Sequence, residues 1–359
     1  MVAWAHVAFL AWSLAMPPPA MPAPMLAAEP MPPPDQVMAV PPALRAELRR
    51  QVVGSGGSGK MRLERLMDFL FQPTGLGMQY AADATLTVEQ AYRLRKGNCL
   101  TFTLLSVALA REAGLQARGQ EIDDVVAWQV GDNVVYRFNH VNAQIAIGRS
   151  HYTIDVARDA VLARHRPRSI PDHRLLALYY NNRAAELLAD PDPMAAAPYM
   201  AMTLQLAPRY ASGWANAGVL RLRQGDLRGA ERDYLKALGF DPAHAGALFN
   251  LVTLYRDRGD GVRSARFQQR LEKVQMKDPY FQFLLAMDDE RQGDYAGAVR
   301  HYRSAIHLYR GDSRFYAGLA RVYLQLGEER QARRAMHHAD ILSRSTDEGE
   351  RARVPRQRN

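Results

Sequence analysis

Residues 97–115 have the sequence GNCLTFTLLSVALAREAGL, and they contain Cys99, the only cysteine in the 359-residue chain. The apolar run predicts a helix that begins at the cysteine and ends at Gly114, a natural left-handed C-cap. A thiol at a helix start lies among unpaired backbone N–H groups, which favour the thiolate over the thiol. The position also suits a small buried hydrophobe, so Cys99 taken alone is either a nucleophile or a core residue.

The chain after Gly114 carries two polar residues that decide between these alternatives. Its apolar period changes to two, which predicts strands at residues 116–121, 125–130, 134–138, 139–147 and 151–156. His140 lies on the polar face of the predicted strand 139–147, and Asp155 lies on the polar face of the predicted strand 151–156. A hairpin loop with an even number of residues would put both on one face of adjacent strands, and an odd number would separate them. A carboxylate beside a histidine fixes its tautomer and stabilises the imidazolium, which suits a base paired with a thiol.

A cysteine that begins a helix, a histidine at a strand start and an aspartate on the next strand resemble the transglutaminase-like superfamily, a papain-like α+β fold. The resemblance covers residues 62–159 and rests on GNCLTFTLL and ALAREAGL, on NHVNAQI and on HYTID. It implies that Cys99 is the nucleophile, that His140 is the general base and that Asp155 orients the histidine. The chemistry implied is thiolate attack on an amide or ester carbonyl, giving an acyl-enzyme. Water as acceptor gives a peptidase or amidase, and an amine gives a transglutaminase.

Other parts of such a site stay open. The backbone N–H of Cys99 would be one oxyanion donor. The second donor is left among three side chains: Gln120, Trp128 and Tyr92. His151 is a competing catalytic histidine, because it can share a face with Asp155. A metal site made of His140, His151 and Asp155 would leave the cysteine without a role, so we expect neither a metal nor a cofactor.

Composition restricts the class of protein. Hydrophobic residues make up 48% of the chain and charged residues 23%, which is typical of a globular protein of about two domains. A single cysteine excludes an intramolecular disulfide. The net charge of +9 comes from arginines scattered along helical segments, which is typical of solvated helix faces. No nucleic-acid motif accompanies them, so we expect no nucleic-acid partner.

The N-terminal residues 1–35 are predicted to be a signal peptide and a proline-rich linker. Residues 2–16 are apolar, and this run is shorter than the roughly 20 residues that span a bilayer. The length suits a signal-peptide core, with small-residue cleavage sites at 13–15 or 26–28. No lysine or arginine precedes Arg45, so the usual basic start is missing. We expect export to the periplasm, with the cytoplasm as the alternative, and no transmembrane span.

A glycine-rich run at residues 54–60, GSGGSGK, has the spacing of a phosphate loop. Met61 stands where the magnesium-binding hydroxyl should be, and the preceding residues 43–53 are helical in pattern instead of forming a buried strand. A flexible loop is therefore favoured over nucleotide binding. After it, helices are predicted over residues 63–71 and from the capping box of Thr87 and Gln90 to Gly97.

The second half of the chain repeats every 34 residues from about Ala177. Four pairs one period apart mark the repeat: Gly225-Asp226, Gly259-Asp260, Gly293-Asp294 and Gly327-Glu328. Around the first pair, six residues resemble the tetratricopeptide pattern: Trp214, Gly218, Ala230, Tyr234, Ala237 and Pro242. About five helix pairs are expected to stack into an all-α superhelix with a concave groove, and the aromatic residues are expected in its core.

These patterns predict an α+β domain over residues 36–172, a repeat array over 173–346 and a disordered charged tail over 347–359. The function they favour is a thiol-dependent hydrolase or acyltransferase that acts on amide bonds, with a protein or peptide partner in the groove of the array. The alternative is a non-catalytic adaptor in which both parts serve protein–protein interaction. The oligomeric state is not fixed by these patterns.

Overall fold

The computed structural model describes residues 30–122, 140–156, 167–188 and 193–353, with short pieces at 125–126, 130–131, 134–135 and 162–163. The chain divides into two units, Met1–Pro32 and Pro33–Asn359. The predicted signal peptide falls almost wholly outside the described residues. No helix in the described part is both long and apolar enough to cross a membrane.

Five helices lead up to the main sheet. They are α1 (Pro34–Val37), α2 (Pro42–Leu48), α3 (Gly59–Phe71), α4 (Val88–Leu94) and α5 (Cys99–Glu112). A π-helical turn, Arg49–Val53, continues α2, so a helix and not a strand precedes the glycine-rich run. Ser58, within that run, caps α3 by accepting a hydrogen bond from the Met61 N–H at 3.3 Å, so Gly59 and Lys60 of the run already belong to the helix. The second serine of the glycine-rich run therefore serves as the N-cap of α3.

Helix α4 begins as predicted and ends earlier. The capping box of Thr87 and Gln90 is present in both directions. The predicted end at Gly97 is wrong, because α4 stops at Leu94 and Arg95 takes a left-handed φ of 54°. The cause is a parallel pair of short strands, β1 (Gln79–Tyr80) and β2 (Lys96–Gly97). This pairing takes residues 96–97 out of the helix just before the cysteine.

Helix α5 packs against a four-stranded antiparallel sheet. The remaining strands are β3 (Gln116–Ile122), β4 (Val125–Val126), β5 (Val130–Gly131), β6 (Val134–Val135), β7 (His140–Ile147), β8 (Ser150–Ile154), β9 (Leu162–Ala163) and β10 (Arg168–Ile170). The sheet order is β10-β3-β7-β8. Of the strands predicted at 125–130 and 134–138, the described pieces are β4, β5 and β6. Helix α5 is buried on all sides from Leu100 to Ala110, because most of these residues are apolar.

Ten helices in residues 172–188 and 193–353 form five consecutive pairs. They are α6 (Asp172–Leu188), α7 (Ala196–Leu206), α8 (Ala211–Arg223), α9 (Leu227–Phe240), α10 (Ala245–Asp257), α11 (Gly261–Gln275), α12 (Pro279–Gln292), α13 (Tyr295–Leu308), α14 (Ser313–Gln325) and α15 (Glu329–Arg353). Helix α15 continues into the predicted tail, since no proline interrupts the chain before Pro355. Residues 354–359 of that tail are outside the described part.

The core of the array is built from tyrosines against small residues, as predicted. Tyr234 and Tyr302 are fully buried, and Tyr255 is 2% exposed. Gly218 lies against the ring of Tyr234, where a Cβ would come within 2.5 Å of a ring carbon. The close approach of neighbouring helices therefore depends on this glycine.

The first helix of the array is tied to the sheet. The Arg174 guanidinium on α6 binds the Glu121 carboxylate of β3 at 2.6 and 3.1 Å, and Glu121 is 3% exposed. Arg111 of α5 forms a second, more exposed pair with Asp172 at 2.7 and 2.8 Å. The predicted boundary at residues 172–173 is thus crossed by a buried ion pair.

Candidate active site

The candidate nucleophile stands at the N-terminus of a rigidly capped helix. Cys99 is the first residue of α5 and is partly exposed. Its neighbour Asn98 caps the helix by accepting a hydrogen bond from the Thr101 N–H at 3.0 Å. The Asn98 amide in turn donates to the Thr85 hydroxyl at 2.7 Å. These two bonds fix the backbone that leads into the cysteine.

The hairpin of β7 and β8 brings the predicted histidine and aspartate together. Ile147 pairs with Ser150, so the loop has two residues, the even number that the same-face arrangement requires. His140 Nε2 lies 2.8 Å from each carboxylate oxygen of Asp155. The histidine is 3% exposed, so it is not a residue of a solvated strand face. The strands pair Ala143 with Ile154, so the continued register puts Asp155 opposite residue 142. His140 is two residues further along β7, and its contact with Asp155 is therefore a diagonal one between the strands.

The same imidazole reaches the cysteine. Besides its two contacts with Asp155, His140 interacts with the Cys99 sulfur, which raises the pKa of the imidazole. Burial alone would lower the pKa of His140, but the hydrogen bonds and charges of Asp155 and Cys99 outweigh it and raise that pKa to about 9. The histidine is therefore an imidazolium at neutral pH, placed between an acid and a thiol.

Tyr80 is a site residue that the sequence did not indicate. It pairs with Gly97 in the β1–β2 ladder, two residues before the cysteine. Desolvation and the charge of Cys99 both raise the pKa of its phenol, so the hydroxyl lies in the electrostatic field of the sulfur. The residue is nevertheless 56% exposed, so an aromatic ring lies at the protein surface beside Cys99. A two-residue parallel strand leaves no periodic signal in the sequence.

The other predicted candidates lie elsewhere. The Tyr92 hydroxyl donates to Glu47 at 2.7 Å, and Gln120 pairs across the sheet with Asn142. His151 is exposed and pairs with Ala146, about 13 Å along β8 from Asp155 at 3.3 Å per residue. Trp128 is outside the described residues. Among the described residues, no three His, Cys, Asp or Glu side chains are grouped to hold a metal.

The repeat array also reaches the site. Glu186, near the end of α6, interacts with Thr85, the partner of Asn98, and this interaction favours the charged form of its carboxylate. Burial raises the pKa of Glu186, and the bonds to Thr85 and Arg183 oppose that rise. Thr85 is 1% exposed, so the connection is internal. A chain of side chains thus runs from the first array helix to the residue before Cys99.

Comparison with known proteins identifies a segment within the second half. The family model "Tetratricopeptide repeat" matches residues 291–342. The chain contains a tetratricopeptide repeat region. Such repeats are protein-interaction elements, and residues 36–172 lie outside the matched segment. No curated protein matches the chain.

Several solved structures are similar to part of the chain. MamA from Desulfovibrio magneticus RS-1 is 16% identical over 48% of this chain and 97% of that one, with a TM-score of 0.27. YrrB, described as a TPR protein with an unusual peptide-binding site, is 17% identical over 46% of this chain and 86% of that one, with a TM-score of 0.26. The Cut9–Hcn1 hetero-tetramer of APC/C is 16% identical over 46% of this chain and 32% of that one, also with a TM-score of 0.26.

Proposed function

We propose that this chain binds a protein or peptide in the groove of its repeat region and acts on it through the thiol of Cys99. The tetratricopeptide match supports the binding part. The contact of one imidazole with both a thiol and a carboxylate supports the chemical part, and this observation carries the proposal. The function is then that of a thiol-dependent hydrolase or acyltransferase for amide bonds.

The proposed reaction uses three side chains. The Cys99 thiolate attacks the amide carbonyl carbon, and the C–N bond breaks as the His140 imidazolium gives its proton to the leaving nitrogen. The products of this half are a thioester on Cys99 and a free amine. Neutral His140 then takes a proton from water or from an incoming amine, which attacks the thioester and releases the thiolate. Asp155 holds the imidazole through both halves.

The backbone supplies part of the electrostatic support. The N–H groups of the first turn of α5 have no intrahelical partner, because no carbonyl precedes them in the helix. The Thr101 N–H donates to the Asn98 side chain. The Cys99 N–H belongs to the residue whose sulfur attacks the substrate. By resemblance to papain-like enzymes, we assign the Cys99 N–H to the oxyanion of the tetrahedral intermediate.

Alkylation of the single cysteine tests the chemical part. A free thiol is about 0.3% ionised near pH 6, so a thiolate held by an imidazolium should react with iodoacetamide at least about fivefold faster, even after its lower nucleophilicity is counted. We expect His140→Ala to lower the alkylation rate to that of a free thiol, and Cys99→Ser to abolish labelling. Intact-protein mass spectrometry measures the labelling of each variant. The adaptor alternative requires equal rates in the wild type and His140→Ala.

The binding part has its own test. Exposed apolar side chains lie on first helices of the pairs, including Met287 on α12 and Leu324 on α14, which are 42% and 57% exposed. We expect Met287→Glu and Leu324→Glu to remove a protein that co-purifies with the Cys99→Ala variant. Val262→Glu is the control, because Val262 is 84% exposed but lies on the second helix of its pair. Equal retention by all three variants would reject the groove as the binding surface.

Export stays a proposal that rests on the apolar N-terminal run. N-terminal sequencing of the mature protein tests it. Loss of a segment ending near residues 15 or 28 would agree with export. An intact Met1 would reject it.

A further inference from the structure

Asp155 follows the last residue of β8 that pairs with β7, so no strand pairing fixes its position. The last β7–β8 pair is Ala143 with Ile154, so Asp155 is one residue beyond the ladder. Its rotamer therefore depends on side-chain contacts. Besides the two 2.8 Å contacts with His140, Oδ2 accepts a hydrogen bond from Asn142 Nδ2 at 3.0 Å.

Asn142 is itself rigidly placed. It lies inside β7, where Gln120 of β3 is its partner on one side, and it is 3% exposed. Continuing the β7–β8 register by one residue puts it directly opposite Asp155. A strand residue with a neighbour on each side has little freedom, so its amide can hold a carboxylate at a fixed angle.

The orientation of this amide leaves an acceptor without a donor. Asn142 Oδ1 is buried and has no hydrogen-bond partner in the described structure. The opposite rotation of the amide would point this oxygen at the Asp155 carboxylate, and two acceptors repel. A buried acceptor with no donor lowers the stability of the fold, so this orientation of the amide indicates a role other than stability.

We infer that Asn142 is a positioning residue, which holds the Asp155 carboxylate against His140 and thereby sets the reactivity of Cys99. This inference rests on the proposed function. The charged and titratable groups that face the imidazole are Asp155 and Cys99, and Tyr80 faces the sulfur from β1. Asn142 adds no charge of its own, so it acts through the placement of the carboxylate.

The test compares two buried amides. Asn142→Leu removes the donor to Asp155 together with the partnerless oxygen. Gln120→Leu is the matched control, because Gln120 is 5% exposed, lies at the same level of the sheet and also has a buried amide oxygen without a partner. It differs in having no hydrogen bond to Asp155. The readout is the pH profile of Cys99 alkylation by iodoacetamide on the full chain.

We expect Asn142→Leu to move the acid limb of this profile up by about one pH unit, equal to about tenfold slower alkylation below the limb, because bonds to charged groups have that strength. Stability to urea should be unchanged or higher, since the partnerless oxygen is gone. The Gln120→Leu profile should match the wild type. Asn142→Ala should show the same shift, and it replaces Asn142→Leu if the larger side chain prevents folding.

Different results overturn different statements. If the wild type and His140→Ala react alike, the proposed function fails. If they differ but Asn142→Leu and Asn142→Ala keep the wild-type profile, this inference alone is refuted. It is also refuted if Gln120→Leu shifts the profile equally, or if the Asn142 variants lose stability without any shift, because either result means a general structural role.

Discussion

Stability should fall with pH because of His140, and the size of the effect follows from its surroundings. Its pKa rises from the ordinary 6.5 to about 9 in the folded chain, against the effect of burial, through Asp155 and Cys99. The folded state therefore binds this proton more tightly than the unfolded chain does. The stabilisation is complete below about pH 6.5 and is lost as pH rises through about 9. At about 1.4 kcal/mol per tenfold change in proton affinity, it amounts to about 3 kcal/mol.

The measurement is the free energy of unfolding in urea, followed by circular dichroism from about pH 6 to about pH 10, for the wild type and His140→Gln. Groups that do not interact with His140 titrate alike in both proteins and cancel in the difference, whereas Cys99, which is coupled to His140, contributes to it. We expect the advantage of the wild type to shrink by about 3 kcal/mol over this range. A difference that stays constant would refute the raised pKa of His140, and with it the stabilising effect assigned to Asp155 and Cys99. A difference that grows with pH would mean that burial dominates.

Two further predictions concern packing and buried charge, and urea unfolding checks both. Gly218→Ala should destabilise the chain by about 1–3 kcal/mol, because the new Cβ meets the buried ring of Tyr234, whereas Gly239→Ala should stabilise it by up to about 1 kcal/mol, as nothing lies within 4 Å there. Equal effects of the two would contradict this reasoning. Arg174→Met should cost about 3 kcal/mol by depriving buried Glu121 of its closest cation, and adding Glu121→Met should restore most of the loss. A loss below about 1 kcal/mol would contradict it.

The repeat region could be predicted because its signals are local. Gly225, Gly259, Gly293 and Gly327 all have positive φ, from 73° to 81°, so each marks a helix end that favours glycine. The period of 34 residues then fixes the number of pairs. The helix beyond Ser345 was missed because a charged segment without a breaker is compatible with either helix or disorder.

The arrangement of His140 and Asp155 could be predicted as far as the parity of strands allows. Alternation assigned each residue to a face, and the two-residue loop at Gly148 then decided the register. The loop length itself was open in the sequence. Alternation also cannot show which polar residues are buried, so Asn142 gave no signal: it matches a solvated strand residue in every local respect.

Contacts between segments far apart in the chain could not be predicted. Tyr80 reaches the site through a parallel pairing with Gly97, which has no sequence period. Pairing at that point also ended α4 early and corrected the predicted helix. Glu186 and Thr85 interact although they are about a hundred positions apart, and neither segment has a sequence pattern that indicates this proximity.

Helix α6 limits how this protein can be divided. A fragment that starts after it would lack the first helix of the first pair. One that ends before it would remove Arg174, the closest cation to the buried Glu121 carboxylate, and would also remove Glu186 from Thr85. Cutting at the sequence boundary near residue 173 would therefore damage the scaffold behind Cys99 as well as the array. The smallest fragment that keeps the surroundings of Cys99 unchanged therefore includes α6. The same helix is also the first of the repeat array, so the two halves cannot be separated without loss to one of them.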